Sequence, residues 1–320
     1  VTSALLDVEH LAVELAGHEA LTDVTLAVPA GACLGLVGET GSGKTITCKA
    51  LIGRLPRIGG KITRGTMLFD GIDLQALDEH GWHQLRGRRI ALVPQASMSG
   101  LDPVMKVGRQ LAEAVRELDR GAARGERVQE LLNLVHMPRP GEVTSLYPHE
   151  LSGGMRQRVM IALALTGHPE LLFADEPTTA LDVTVQRGIL ELLLELRQNT
   201  GMAIVFVTHD LGVVQSSSDS LAVMYSGAVV ERGPSREVLA RPAHPYTQAL
   251  IRARPRTGGS RGALATIPGR APGLGERPDG CPFAPRCPLA QDHCRSHVPH
   301  LVPVAHERWS ACFRWEELLA

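Results

Sequence analysis

The segment Gly38-Glu39-Thr40-Gly41-Ser42-Gly43-Lys44-Thr45 fits G-x-x-x-x-G-K-[ST] and constrains the fold more than any other stretch of the chain. Leu34-Gly35-Leu36-Val37 before it reads as a short buried strand, and Ile46 to Ile52 after it reads as the start of a helix. A loop between a buried strand and a helix N-terminus can turn successive backbone N–H groups toward phosphate oxygens. Gly41 and Gly43 give the backbone the freedom to do so. Lys44 is placed to reach β- and γ-phosphates, and Thr45 offers a hydroxyl to Mg²⁺. A nucleotide site in a layered α/β fold is expected.

Further segments place polar side chains at the ends of apolar runs. Leu171-Leu172-Phe173-Ala174 ends in Asp175, as a buried parallel strand would, with Glu176 and Pro177 next. Ile204-Val205-Phe206-Val207-Thr208 ends in His209, 33 residues after Glu176. Ile90-Ala91-Leu92-Val93-Pro94 ends in Gln95, whose amide can sense a water or a cation but cannot act as a base. Ser152-Gly153-Gly154, after Tyr147-Pro148-His149-Glu150-Leu151, puts a hydroxyl and glycine amides at the start of a helix expected from about Met155 to Thr166. Ala180-Leu181-Asp182 follows Pro177 at short range.

Taken in this order, Leu151-Ser152-Gly153-Gly154 and its companions resemble the ATP-binding cassette (ABC) ATPases. The resemblance implies an α/β core of P-loop type with an antiparallel β subdomain and an α-helical subdomain, working as a dimer. It assigns Glu176 as the base that polarises water, and Asp175, Thr45 and Gln95 to the Mg²⁺ shell. His209 is assigned to the γ-phosphate. Asp182 falls in the loop that crosses the dimer seam, and Ser152, Gly153 and Gly154 complete the ATP site of the partner subunit. The family's adenine-stacking aromatic is absent: Leu15 stands at its place, and His18 is the alternative.

Composition narrows the setting. The chain of 320 residues is 44% hydrophobic and 21% charged, ordinary for a globular protein. A net charge of −1 and only 3% aromatics argue against a basic or base-stacking surface, so no nucleic-acid partner is expected. No window holds 18 consecutive apolar residues, and the first residues carry no secretion signal, so a cytosolic chain is expected. Residues 3 to about 30 alternate as half-exposed antiparallel strands, and Gly65 to Gly71 is a strand ending in an Asp-Gly turn. From about 96 to 167 the pattern is helical, with Val107, Leu111, Val115 and Leu118 on one face. Leu221 to Glu231 reads as a hairpin turned at Ser226-Gly227.

The pattern changes near residue 252, so the cassette is taken as 1–252 and an irregular Cys-rich extension as 253–320. Residues 252 to 280 are rich in Gly, Pro and Arg and read as a linker over a surface. Cys281, Cys287, Cys294 and Cys312 then follow as C-x5-C-x6-C-x17-C. A cytosolic chain disfavours disulfides, and the set lacks the C-x2-4-C hook usual for zinc. A [4Fe–4S] cluster is the expected use. Zinc stays open with His293, His297 or His300 as substitute ligands, and so do free thiols. Cys33 and Cys48 read as buried packing residues.

His244-Pro245-Tyr246-Thr247, Ile267-Pro268-Gly269 and the four cysteines resemble the extension of the oligopeptide, dipeptide and nickel branch of ABC importers, as do Asp102-Pro103 and Tyr147 to Glu150. That resemblance implies an ATP-hydrolysing subunit at the cytoplasmic face of the cell membrane. Its partners would be a second ATPase subunit, identical or homologous, two transmembrane permease subunits and an extracytoplasmic solute-binding protein. The cargo implied is short peptides, with nickel or another small solute as the alternative. A soluble ABC ATPase of DNA repair or translation is the rival of another class. Repair types carry a long coiled coil where only 56 residues separate Gln95 from Ser152, and translation types carry two cassettes.

Overall fold

The structure is a computed structural model and describes residues 4–95, 100–119, 123–178, 181–254 and 266–320. Its strands in chain order are β1 (Ala4–Leu15), β2 (His18–Pro29), β3 (Cys33–Val37), β4 (Gly60–Phe69), β5 (Ile72–Asp73), β6 (Ile90–Val93), β7 (Leu171–Asp175), β8 (Ala203–Thr208), β9 (Ser220–Tyr225), β10 (Ala228–Pro234), β11 (Val302–Ala305) and β12 (Arg308–Ser310). The chain gathers into two compact units. One comprises Val1–Pro29, Cys33–Ala76 and Phe206–Ala320; the other comprises Ala30–Ala32 and Leu77–Val205.

In the first unit the alternating stretch becomes the antiparallel hairpin β1–β2, with β4 antiparallel on the other side of β1 and β5 on β4. Ala16 and Gly17 both take positive φ, the requirement of a tight two-residue hairpin turn. Glycine is needed at Gly65, because a Cβ there would meet the Glu9 carbonyl oxygen at 2.6 Å. The expected Asp70-Gly71 and Ser226-Gly227 turns are present with positive φ at all four residues. β3, buried throughout, runs parallel to β9, and β9 turns back antiparallel into β10. Cys33 and Cys48 are buried, as packing residues should be.

The tail is not wholly irregular. Val302–Ala305 and Arg308–Ser310 form an antiparallel hairpin whose second strand pairs with β10 through Glu231↔Ser310 and Arg232↔Trp309. The short alternating stretches on either side of His306-Glu307 carry too few residues to stand out as strands in the sequence, and they form by extending an existing sheet. The aromatic core of this unit unites cassette and tail. Tyr225, Tyr246 and Phe283 pack with ring centroids 4.5 to 5.3 Å apart, beside Val37, Val223 and Val238.

In the second unit β6 runs parallel to β7 in the register Ile90↔Leu171. The helical stretch resolves into Val107–Leu118, Arg124–Leu134, Pro140–Val143 and Gly153–Leu165; its first residues, 96–99, lie outside the described residues. Val107, Leu111 and Val115 are fully buried, as their spacing predicts. Helix Gly153–Leu165 is capped by Ser152, and helix Val183–Thr200 by Asp182. No helix among the described residues is long and apolar enough to cross a membrane.

Candidate nucleotide site

The phosphate loop closes as its glycines dictate. Gly41 and Gly43 have φ of 84° and 106°. A Cβ on Gly38 would lie 2.2 Å from the Met224 carbonyl oxygen, so only glycine lets the loop pass β9. Lys44 is buried, and its ammonium donates to the Gly38 carbonyl (2.7 Å), the Glu39 carbonyl (3.0 Å) and Ser42 Oγ (3.5 Å). Thr45 lies exposed in the first turn of helix Lys44–Leu51. A cavity of about 990 Å³ opens beside the loop, bounded by Gly38, Glu39, Thr40 and Gly41, by His209, and by tail residues 269–275.

Glu39 is held from two sides. Its N–H donates to the Tyr246 hydroxyl at 2.8 Å. Its carboxylate receives both terminal nitrogens of Arg286, at 2.7 and 3.0 Å. The sequence marked Tyr246 and the Ile267-Pro268-Gly269 tract only as branch signals, and it marked Arg286 not at all. Near the cavity, His18 packs on Gly275, where a Cβ would meet its ring at 2.8 Å, whereas Leu15 pairs with His18 across the hairpin turn. Glu19 and Ala20 of β2 line the cavity; neither Leu15 nor His18 does.

In the second unit, Gln95 Nε2 donates to Glu176 Oε2 at 2.8 Å, which joins the expected water sensor to the expected base. Glu176 sits just beyond β7 with φ of 47°, a left-handed conformation that costs a non-glycine residue roughly 1 kcal/mol or more and is concentrated at functional sites. Asp175 is the buried last residue of β7. Ser152 is exposed and accepts from the Met155 N–H at 3.3 Å. Gly154 is required by packing, since a Cβ would meet Val185 Cγ1 at 2.7 Å; at Gly153 the nearest atom, Leu181 Cδ2, would lie at 3.0 Å. Asp182 accepts from the Val185 N–H at 3.0 Å, an N-cap role that the sequence did not assign to it. Ala180, its companion in the seam loop, lies outside the described residues, as do residues 255–265 of the linker.

The four tail cysteines line one cavity of about 20 Å³ and are all unbonded to one another. Burial pushes the thiols of Cys281 and Cys287 up and that of Cys312 up to about 12. The donor set suits a thiophilic cation, yet the space admits about one water-sized sphere. Among the described residues no group of three or more His, Cys, Asp or Glu side chains stands in a metal-holding arrangement. The four thiols share this cavity, but the expected [4Fe–4S] or zinc site does not stand formed among the described residues. The histidines kept as substitute zinc ligands do not line this cavity; His293 and His297 stack on each other at 4.2 Å.

Comparison with known proteins agrees with this geometry. The family described as ABC transporter matches residues 21–179, and the C-terminal region of the oligopeptide/dipeptide transporters matches residues 230–294. The dipeptide transport ATP-binding protein DppD of Escherichia coli is 44% identical over 315 residues, covering 97% of this chain and 96% of that protein. Its namesake in Haemophilus influenzae is 42% identical over 304 residues, covering 93% and 92%. Among solved structures, cbiO1 of Clostridium perfringens, part of an ABC transporter complex, superposes with a TM-score of 0.66 at 27% identity, over 74% of this chain and 91% of that one. A dimeric ATP-binding cassette in a post-hydrolysis state with ADP and Pi gives 0.63 at 27% identity, over 72% and 99%. The chain belongs to the ATP-hydrolysing subunits of ABC transporters, in the branch that carries the oligopeptide/dipeptide C-terminal region.

Proposed function

We propose that this subunit hydrolyses ATP at a site completed by a second ATPase subunit, and that closure of the pair drives uptake of short peptides through two permease subunits. The cassette, 1–252, and the extension, 253–320, serve this one task at the cytoplasmic face of the membrane, with a solute-binding protein delivering cargo from the other side. The names of the relatives support a peptide cargo; a nickel chelate or another small solute is the alternative. Lys44 and the amides of Gly38 to Gly43 balance phosphate charge. Thr45 and Asp175 are proposed as hard oxygen ligands of the kind that Mg²⁺ prefers, and Gln95 as a further member of that shell. His209 contacts the γ-phosphate. Ser152, Gly153, Gly154 and Asp182 serve the composite site. His18 is the better candidate than Leu15 for the adenine edge, because its ring packs on the tail segment that walls the cavity. The four cysteines are proposed as the ligands of a [4Fe–4S] cluster, with zinc as the alternative.

One observation carries the hydrolytic reading: Gln95 and Glu176, 81 positions apart, meet at 2.8 Å. A carboxylate held in this way accepts a proton from water, while the amide aligns that water without competing for the proton. The chemistry is then positioning and electrostatics around an in-line attack. Glu176→Gln preserves size and hydrogen bonding but removes the base. In the assembled transporter, ATP should still bind and turnover should fall by about 100-fold or more. Turnover near wild type would remove Glu176 from this role.

A further inference from the structure

The geometry points to Arg286 as a positioning residue for the phosphate loop, so that the cysteine-rich tail is part of the nucleotide site. This rests on the reading of Gly38–Thr45 as the phosphate cradle. The side chain of Arg286 is 5% exposed and that of Glu39 28%. The two form a two-pronged pair, the geometry in which guanidinium fixes a carboxylate in direction as well as distance. Arg286 is itself fixed. Its Nε donates to the Pro268 carbonyl at 2.8 Å, and one terminal nitrogen reaches the Tyr225 hydroxyl at 3.2 Å. The turn Ala284–Arg286, between Cys281 and Cys287, sets its backbone, and Phe283 in the aromatic core anchors that turn.

The consequence falls on one residue of the loop. Glu39 has its N–H on Tyr246, its carbonyl on Lys44 and its carboxylate on Arg286. The backbone of a phosphate loop must present its amides in one direction before the anion arrives, and pre-organisation of this kind appears as affinity. Arg286 also neutralises a carboxylate that stands within the loop meant to hold the most negative part of ATP. The three branch markers, His244 to Thr247, Ile267 to Gly269 and the cysteine segment, thus converge on one residue.

Two effects with different dependence on charge give a discriminating test. Arg286→Ala removes the clamp and exposes the Glu39 charge to the phosphates. Glu39→Gln removes the clamp and the charge together. The full chain, assembled with its partner subunits, should show a KM for ATP raised about tenfold by Arg286→Ala and about threefold by Glu39→Gln, with kcat little altered. The double variant should return to the Glu39→Gln value, a suppression that tail folding alone would not produce. Arg286→Lys keeps charge without the fork and should fall between wild type and Arg286→Ala. Tyr246→Phe keeps the aromatic core and loses only the hydroxyl, so it reads the same device if Arg286 variants fold poorly; a rise of about threefold in KM is expected. Wild-type KM in both Arg286→Lys and Tyr246→Phe, or additive losses in the double variant, would overturn the assignment. Lys44→Ala binding ATP as well as wild type would instead sink the phosphate-loop reading beneath it.

Discussion

His244 should make the junction between cassette and tail acid-labile. Its ring is buried, with Nδ1 accepting the Tyr246 N–H at 3.0 Å as cap of the helix Pro245–Arg252. The other ring nitrogen bonds the Ala311 backbone. This neutral tautomer satisfies both contacts, and a proton on Nδ1 would remove the acceptor. Burial accordingly pushes the imidazole down from 6.5 to about 3. A histidine whose folded value is depressed stays neutral in the fold while the opened chain takes up a proton, so stability is full above about pH 7 and declines as pH falls. At pH 5 the medium is 1.5 units below the open-chain value and still above the folded one, so the loss is about 2 kcal/mol, whether the folded value is 3 or 4. Glu231, behind it, acts in the opposite sense. Desolvation lifts that carboxyl from 4.5 to about 7 despite the Ala243 and His244 amides and Arg308. Its contribution therefore weakens as pH rises through 7, and on acidification the two terms offset each other. The measurement must be differential: hydrogen exchange of the Tyr246 amide, normalised to intrinsic rates, at pH 8 and pH 5, in wild type and in His244→Asn. Asparagine can still cap the helix but does not titrate. Between those pH values wild type should lose about 30-fold more protection than the variant. Equal pH dependence in the two proteins would show that His244 does not carry a buried neutral ring.

Ser152→Arg places a bulky cation on the surface expected to close over the partner's ATP. ATP affinity at this chain's own phosphate loop should change little, while hydrolysis in the assembled dimer should fail; full-rate hydrolysis by an isolated monomer would refute the shared site. Protein purified without oxygen should carry about four iron per chain if the four thiols hold a cubane. Cys281, Cys287, Cys294 and Cys312 should each be required, and Cys33 and Cys48 should not. One zinc and no iron would replace the cluster with the zinc reading, and neither metal would leave four half-buried free thiols, with burial raising those of Cys281, Cys287 and Cys312.

What the sequence revealed depended on the range of the interaction. Gly41, Gly43 and the Ser226-Gly227 turn were legible because a local backbone conformation demands those residue types. Gln95, Glu176 and His209 stood out because each follows an apolar run, and the fold places them just past β6, β7 and β8. Asp182 and Ser152 each cap a helix, a local role that leaves both residues at the surface. The Arg286–Glu39 pair was not legible, since its partners are 247 positions apart and no periodicity joins them. Nor was the hairpin β11–β12, which exists because β10 offers an edge to pair with. The cysteine spacing marked four thiols, and the fold brings them to the lining of one cavity.

The tail has little interior of its own, and the way it is held explains why it can influence the phosphate loop. Its buried side chains among the described residues are Pro282, Phe283, Ala284, Arg286, Arg308, Ser310 and Ala311. Two of these are arginines, each paired with a glutamate of the cassette: Arg286 with Glu39 and Arg308 with Glu231. Buried ion pairs add little net stability, because desolvation cancels most of the attraction, but they are intolerant of displacement. Apolar packing around Phe283 could hold the tail in several registers; two fixed guanidinium–carboxylate contacts and the β10–β12 pairing select one. The tail is therefore located more firmly than it is stabilised. A change that loosens the cysteine segment should appear first in the direction of the Glu39 carboxylate, and hence in ATP affinity, before the cassette itself loses its fold.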